Sequence, residues 1–392
     1  MARFILFFIF ISLLLTSGSM AQNPALTISW NKIAVIPSSH SNEKSLGFAG
    51  AINGVNNNVL IVAGGSNFPS ALPWEGGKKA YSDKIFVLEK NGDDFIWNKK
   101  VKNVLPEPIA YCGTASTPSG IVYAGGENKN GISNKCFLVK WNEHKNEVDI
   151  KPLPDLPIAL TNVAVTNIDN IVFAAGGDNT KSSSNSFFSI DLNDENTQWK
   201  TLPSLPIALA NAAAIAQSGK DGKEIFIIGG RSKTSSGISD LNNTTFAFDP
   251  KTREWRKCAD ISDGKTTTNL SAASGVALGE NEILITGGDN GKTFHQIEIL
   301  ISKIASAKSP EEKAKLTTEK NNLSIHHNGF DKSLLLYNTN GDAWTKIGEL
   351  PFLTHVTTTD VVWGNKIIIS NGEIKPGIRT PDVMMGTVIQ KK

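Results

Sequence analysis

Val59-Leu60-Ile61-Val62-Ala63-Gly64-Gly65 decides the fold. An aliphatic, β-branched run that stops at paired glycine reads as a buried strand ending in a turn. The same pattern recurs at residues 121–126, 171–177, 225–230 and 283–288, and a sixth copy at 367–372 carries Asn371 in place of the first glycine. Paired glycine lets the backbone turn at positive φ, where a Cβ would clash. Self-similarity on this scale is the mark of one supersecondary unit used over and over.

Working outward, each run is preceded by a strand rich in small residues, at 47–52, 161–166, 208–216 and 271–278. Small side chains suit the inner strand of a propeller blade, where neighbours crowd the axis. A polar loop and a third strand follow each glycine pair, at 84–88, 186–190 and 245–248. A fourth strand usually carries tryptophan: Trp97, Trp199, Trp255 and Trp344. In the second unit Trp141 comes early, and 148–151 reads as the outer strand. Leu-Pro-x-Leu-Pro loops at 153–157 and 202–206 lead to the next unit. The whole is an all-β chain, a six-bladed Kelch-type β-propeller over residues 22–392. The outer strand of the last blade is missing from the C-terminal end, and 28–36, with Trp30, supplies it. Its expected partner is the strand near 383–389, so that pairing of the chain ends closes the ring and leaves no open edge. Helical segments do not alternate with the strands, which excludes a TIM barrel.

One stretch breaks the rhythm. Ile297, Leu300, Ile301 and Ile304 lie at helical spacing, and Ser309-Pro310-Glu311-Glu312 reads as a capped helix start with proline in the first turn. A short helical insert is expected at about 294–321, in blade five between its second and third strands. It is either a surface decoration or a wall at the axial mouth, and its position on the glycine face favours the wall.

The N-terminus reads as a cleaved export signal over residues 1–21: Arg3, an apolar 4–15, then Ser19-Met20-Ala21 before Gln22. The expected destination is the periplasm, with no membrane attachment after cleavage. Three cysteines, Cys112, Cys136 and Cys258, cannot all pair, and Cys112 and Cys136 fall on non-neighbouring strands, so buried free thiols are expected. The formal charge of +2, without a basic run, gives no nucleic-acid footprint. No Cys/His spacing suggests a metal. Oligomeric state is left open.

In a four-stranded antiparallel blade, the loops after strands two and four share one face. The residues after the glycine pairs therefore gather there: Ser66, Glu127, Asp178, Arg231, Asp289 and Glu373, with Asn67, Asn128, Asn179 and Asn290 close behind four of them. A polar ring at a concave mouth is a binding site in waiting, although Asp and Asn more often just stabilise turns. The loop Asn371 to Thr380 is richer. It packs Glu373, Lys375 and Arg379 between glycine and proline, a set able to hold an anion and move a proton beside it; the bland reading is a surface salt bridge.

That loop, Asn371-Gly372-Glu373-Ile374-Lys375-Pro376-Gly377-Ile378-Arg379-Thr380, closely resembles the signature of the bacterial N-acetylneuraminate epimerases, the sialic acid mutarotases. Gly47-Phe48-Ala49-Gly50, Ala63-Gly64-Gly65 and Lys78-Lys79-Ala80-Tyr81-Ser82 are similar to further family segments, so that the likeness spans nearly all of the mature chain. The Glu-Lys-Pro-Gly loop here follows the Gly-Phe-Ala-Gly strand instead of preceding it, which resembles the cyclically permuted branch. The resemblance implies interconversion of the anomers of N-acetylneuraminate, a small sugar acid, with no cofactor. It places the catalytic pair on Glu373 and Arg379. Lys375 and Arg379 would bind the sugar carboxylate, and Asn67, Lys79, Tyr81, Glu127, Arg231 and Asn290 would line the pocket. An arginine that the family carries before one inner strand has no counterpart in the apolar 206–211, which leaves open whether Arg231 takes its place.

Three rival readings are compatible with a propeller, which by itself does not define an activity. A non-catalytic Kelch module binding glycan or protein would show no convergent Glu/Arg pair. A copper-radical oxidase needs tyrosine and histidine ligands and a cysteine beside a tyrosine. Here Tyr111 and Cys112 are adjacent and would face opposite sides of a strand, and His295, His326 and His327 lie in or near the insert. A sialidase would show an arginine triad and Asp-box turns, which are not visible.

Overall fold

The structure, a computed structural model, describes residues 26–38, 44–220 and 222–390. The signal-peptide reading of residues 1–21 lies outside them. The described chain forms six antiparallel blades, each built on four strands. Blade one runs through Ala49–Asn56, Val59–Asn67, Ile85–Asn91 and Asp94–Trp97. Blades two to five repeat this order along the chain. Blade six takes Val361–Trp363, Lys366–Ser370 and Asp382–Gln390 from the C-terminal end and Leu26–Val35 from the N-terminal end. Leu26–Val35 and Asp382–Gln390 pair antiparallel from Leu26 opposite Gln390 to Val35 opposite Asp382, with a bulge at Lys32/Ala34.

The unbroken apolar runs follow from burial on both faces. Successive strand residues point to opposite sides, and in a propeller both sides meet a neighbouring blade. Leu60 and Val62 pack toward blade six with Trp363 and Ile368, whereas Ile61 and Ala63 pack toward blade two with Ile121 and Tyr123. Six such apolar clusters fill the six blade–blade seams. Tryptophans at or beside the outer strands of blades one, three, four and five staple the seams, each indole N–H donating to a carbonyl of the preceding blade, whereas the buried Trp30 indole of blade six has no such partner among the described residues. Trp199 reaches Pro154 O at 2.9 Å, Trp255 reaches Pro203 O at 2.9 Å, and Trp97 reaches Val35 O at 2.8 Å.

The glycine pairs have a steric cause. At Gly125, with φ of +68°, a Cβ would lie 2.3 Å from Leu160 O of the next blade, and that same carbonyl accepts the Gly126 amide at 2.8 Å. Asn371 holds the equivalent place at φ of +48°, a conformation asparagine tolerates better than most side chains.

The inner strands begin later than the run of small residues suggests: Ala164–Ile168, Ala213–Ser218 and Ser274–Leu278. At or just ahead of the start of each inner strand lies a left-handed residue in the equivalent position of every blade: Gly50, Tyr111, Asn162, Asn211, Ala272 and Thr357. These six are linked amide to carbonyl in a closed circle. Gly50 N donates to Thr357 O at 2.7 Å, Tyr111 to Gly50 at 2.7 Å, Asn162 to Tyr111 at 2.9 Å, Asn211 to Asn162 at 3.1 Å, Ala272 to Asn211 at 2.9 Å and Thr357 to Ala272 at 3.3 Å. The circle collars the axis and separates the glycine-side mouth from the opposite one.

Two further expectations are refined. Trp199 sits one residue ahead of the outer strand Lys200–Thr201, and Trp141 lies on the third strand of blade two, Cys136–Asn142. The three cysteines are free. Between the second and third strands of blade five lie two helices, α1 (Lys292–Ser306) and α2 (Pro310–Ile325), longer than the expected 294–321 at both ends. Ser309 Oγ accepts the Glu312 amide at 3.1 Å and starts α2, with Pro310 in its first turn. Among the described residues no helix is long and apolar enough to cross a membrane.

Candidate active site

The residue after each glycine pair bridges back to the start of its own inner strand. Ser66 pairs with Ala49, Glu127 with Ala110, Asp178 with Thr161, Arg231 with Ala210, Asp289 with Ser271 and Glu373 with Val356. The backbone thus sets all six rim residues at one height around the mouth. Their side chains then diverge into two groups.

The first group encloses a cavity of about 280 Å³ between blades four, five and six and the insert. Arg231, Asp289 and Glu373 contribute its polar wall; Phe294 and Ile297 of α1, His327 just past α2, and Phe330 contribute the opposite one. The insert is therefore a wall of this cavity. It is held by Glu298 of α1, whose carboxylate accepts the Ser239 amide at 2.7 Å and the Ser239 hydroxyl at 2.8 Å, on the loop side of blade four. The volume is at the small end for ligand pockets and suits a monosaccharide better than an oligosaccharide.

Glu373 stands on a two-stranded hairpin, Glu373–Lys375 with Ile378–Arg379, turned by Pro376 and Gly377. Glu373 Oε1 accepts the Gly377 amide at 2.6 Å and lies 3.2 Å from Arg379 Nη1. Arg379 is the more buried partner, its side chain 5% exposed against 18% for Glu373. Its guanidinium stacks on Phe68 at 4.6 Å from the ring centroid. The contact with Glu373 is close but not aligned as a hydrogen bond, so Arg379 Nε and Nη1 are buried donors without a partner in the protein.

Arg231 is positioned from another blade. Asp178, 1% exposed, accepts from Arg231 Nη2 at 2.6 Å and is itself fixed by the Ser183 hydroxyl at 2.9 Å. Arg231 Nη1 is buried with no partner. Burial pushes the Asp289 carboxyl up; the Gly291 amide opposes this and the nearby Glu373 charge adds to it.

The second group lies on blades one and two. Glu127 Oε1 accepts from Tyr81 Oη at 2.8 Å and Lys79 Nζ at 3.1 Å. Lys79 Nζ also stands 4.8 Å from the Tyr111 ring centroid, and Tyr111 Oη accepts from Ser66 Oγ at 3.0 Å. Burial and the bond to Glu127 push the Tyr81 phenol up to about 12. Burial alone would lower Lys79, but Tyr111 and Glu127 outweigh it and hold the ammonium above its ordinary range.

The fold thus brings Glu373 and Arg231 into one cavity, with Arg379 against Glu373 but outside the cavity lining, and gathers Lys79, Tyr81 and Glu127 elsewhere on the mouth. Two asparagines serve local turns and neighbours instead of the cavity wall. Asn67 Nδ2 donates to Gly47 O at 3.1 Å, and Asn290 Oδ1 accepts the Lys292 amide at 3.2 Å at the start of α1. Lys375 is felt at the cavity through its charge on His327. Asp289 and His327 line the cavity without having been singled out as site residues. Asp289 was recognisable as a rim residue; His327 gave no signal, because its place depends on how the insert folds back. His326 points elsewhere, bonding Asn322 O at 3.0 Å, and no group of three potential metal ligands exists among the described residues.

A closed six-bladed Kelch-type ring with a carboxylate–guanidinium hairpin at its mouth defines the class: a propeller with a small cavity that has one charged wall and one largely apolar wall. The chain belongs to the N-acetylneuraminate epimerase family, whose model matches residues 153–392. It is similar to the N-acetylneuraminate epimerase of Brucella melitensis, 29% identical over 235 residues, 59% of this chain and 58% of that one. The Haemophilus influenzae protein of the same name is 27% identical over 241 residues, 61% of this chain and 60% of its own. The Salmonella typhimurium one is 29% identical over 231 residues, 58% and 56% respectively. The match therefore spans a little over half the length of these relatives, a narrower likeness than the nearly complete one the motifs suggest.

Proposed function

We propose that this protein interconverts the α and β anomers of N-acetylneuraminate or a close sugar acid, as an isomerase working in the periplasm. The observation that carries the reading is the ionisable pair Glu373/Arg379 beside a monosaccharide-sized cavity that also holds the unpartnered Arg231 Nη1. The family's name supports the substrate, and the export-like N-terminus supports the compartment. A comparison along a linear chain follows a cyclically permuted one across only one side of the moved break, which accounts for a match confined to 153–392.

The chemistry is a proton transfer without net redox change. Glu373 takes the proton of the anomeric hydroxyl, the bond from the anomeric carbon to the ring oxygen breaks, and Glu373 hands that same proton on to the ring oxygen. The open-chain ketone turns about its bond to the neighbouring carbon. Ring closure on the other face reverses each step, with Glu373 now acting as the acid. Arg231 takes the substrate carboxylate, because its Nη1 has no partner in the protein while Asp178 holds Nη2. Arg379, with Nη1 3.2 Å from Glu373 Oε1, holds the carboxylate in place. The Lys79–Tyr81–Glu127 group meets the far end of the sugar. The test is anomer exchange followed by NMR with N-acetylneuraminate and related sugar acids. Exchange no faster than in buffer, with every acid tried, removes this reading.

A further inference from the structure

His327 lines the cavity beside Phe330, opposite the wall that Arg231, Asp289 and Glu373 form. Gly329 donates its amide to His327 Nδ1 at 3.0 Å. An acceptor Nδ1 carries no proton, so in the neutral ring the proton sits on Nε2. Protonating Nδ1 would set two N–H groups against each other. Burial also pulls the imidazole's proton affinity down, and the Lys375 ammonium opposes a second positive charge nearby. Nε2 makes no hydrogen bond among the described residues, while the ring rests on Phe330 at 5.1 Å and lines the same cavity as Glu373.

The turn that carries this ring is tightly held. Gly329 has φ of +101°, and a Cβ there would meet Leu353 Cδ2 at 2.8 Å and come within 3.7 Å of Ile374 O, next to Glu373 in the chain. The imidazole is thus aimed by the insert and braced against the Glu373 hairpin. We propose that His327 contacts the substrate, its Nε2–H donating a hydrogen bond to a sugar oxygen across the cavity from Glu373. The group works as a neutral donor. Giving the proton up would leave an imidazolate, so His327 stabilises oxygen charge as the ring opens, and Glu373 carries the proton.

This rests on the sugar-acid reading above, and the experiment separates the two. Glutamine places its amide nitrogen near the position of Nε2, whereas asparagine places its amide near Nδ1. His327→Gln should therefore keep kcat/KM for anomer exchange within about threefold, and His327→Asn should lose about tenfold or more, the worth of one substrate hydrogen bond. A purely structural role for the Nδ1–Gly329 bond reverses that order. In the wild-type protein, long-range 1H–15N spectra should show the Nε2–H tautomer, with its resonance moving on saturation with N-acetylneuraminate. A glutamine variant no better than the asparagine one, or an unmoved imidazole signal, overturns the inference while leaving the functional reading intact. A wild-type protein that neither binds nor exchanges the sugar removes both.

Discussion

Arg379 Nη1 stands 3.2 Å from Glu373 Oε1, directly across the rung that pairs their backbones in one short hairpin. The ion pair is local in sequence, so a few residues of turn geometry set its spacing, while Phe68 of blade one packs on the guanidinium. It is also buried enough that losing one partner leaves the other exposed to a desolvation penalty.

Glu373→Gln tests the proton carrier. The amide oxygen can still accept from Gly377, but it cannot take up a proton at the working pH. Exchange should fall by about 10²–10⁴-fold, the usual share of a general base. The variant should also melt lower, since Arg379 loses its counter-charge. Exchange at the wild-type rate, measured below the melting temperature, would discard the role.

Asp178 acts on Arg231 from a neighbouring blade, and Asp178→Asn weakens that grip without touching the cavity wall. The expected signature is a KM raised several-fold with kcat nearly unchanged, the pattern of lost binding that is uniform between ground and transition state. Arg231→Gln should raise KM further. An unaltered KM in both would show that the carboxylate is held elsewhere.

The axial circle holds several non-glycine residues in the left-handed region, and Thr357 is the β-branched one. It sits at φ of +52°, and Thr357→Asn should add about 1 kcal/mol of stability by relieving the strain that branching adds there. Gly50→Ala should do the reverse, losing about 1–3 kcal/mol, because its Cβ would lie 2.5 Å from Tyr111 Cδ1 at φ of +64°. Urea denaturation of both variants checks the pair; equal stabilities would contradict the strain argument.

Asp360 faces the opposite mouth of the axis, where its Oδ2 accepts from Thr286 Oγ1 at 2.5 Å and its Oδ1 has no partner. Burial pushes its carboxyl up to about 7, against partial opposition from Thr286 and Ser274. An unfolded aspartate titrates near 4. Between about pH 4 and pH 7 the folded state holds the extra proton, so stability falls as pH rises through that window, and the full penalty is present above it. Asp360→Asn should remove the slope and stabilise the protein at pH 8 by a few kcal/mol, on the order of 4 at most. Melting temperatures of the two proteins at pH 5 and pH 8 decide it.

The insert clamp gives a further test. Glu298→Ala removes both bonds to Ser239, freeing the wall of the cavity while the blades keep their seams. Limited proteolysis should cut within 292–330 faster than in wild type, with a KM raised several-fold and a melting temperature within about 2 °C of the original. Unchanged cleavage would mean that apolar packing alone holds the insert.

Much of this protein was legible along the chain because its signals are local. Val59 to Gly65 reads as a strand buried on both faces wherever it occurs, and the glycine stop follows from one carbonyl pressing on one missing Cβ. Glu373 and Arg379 could be paired on paper because a Pro-Gly turn joins them. Other features left no such trace. The six members of the axial circle have no residue type common to all, ranging from Gly50 to Tyr111 to Thr357, because the bond uses only backbone. Arg231 reads as a rim residue, yet its usefulness depends on Asp178, which is 53 positions away.

Sequence alone determined the repeating strands, their count, the hairpin that carries the acid and the guanidinium, and the presence of an insert, since each depends on neighbours within a few residues. Only the tertiary structure decided which rim side chains share a cavity, that the insert walls it, and that His327 joins it with a chosen tautomer. Those outcomes depend on closing the ring and folding the helices back over it, and no short stretch of chain encodes either.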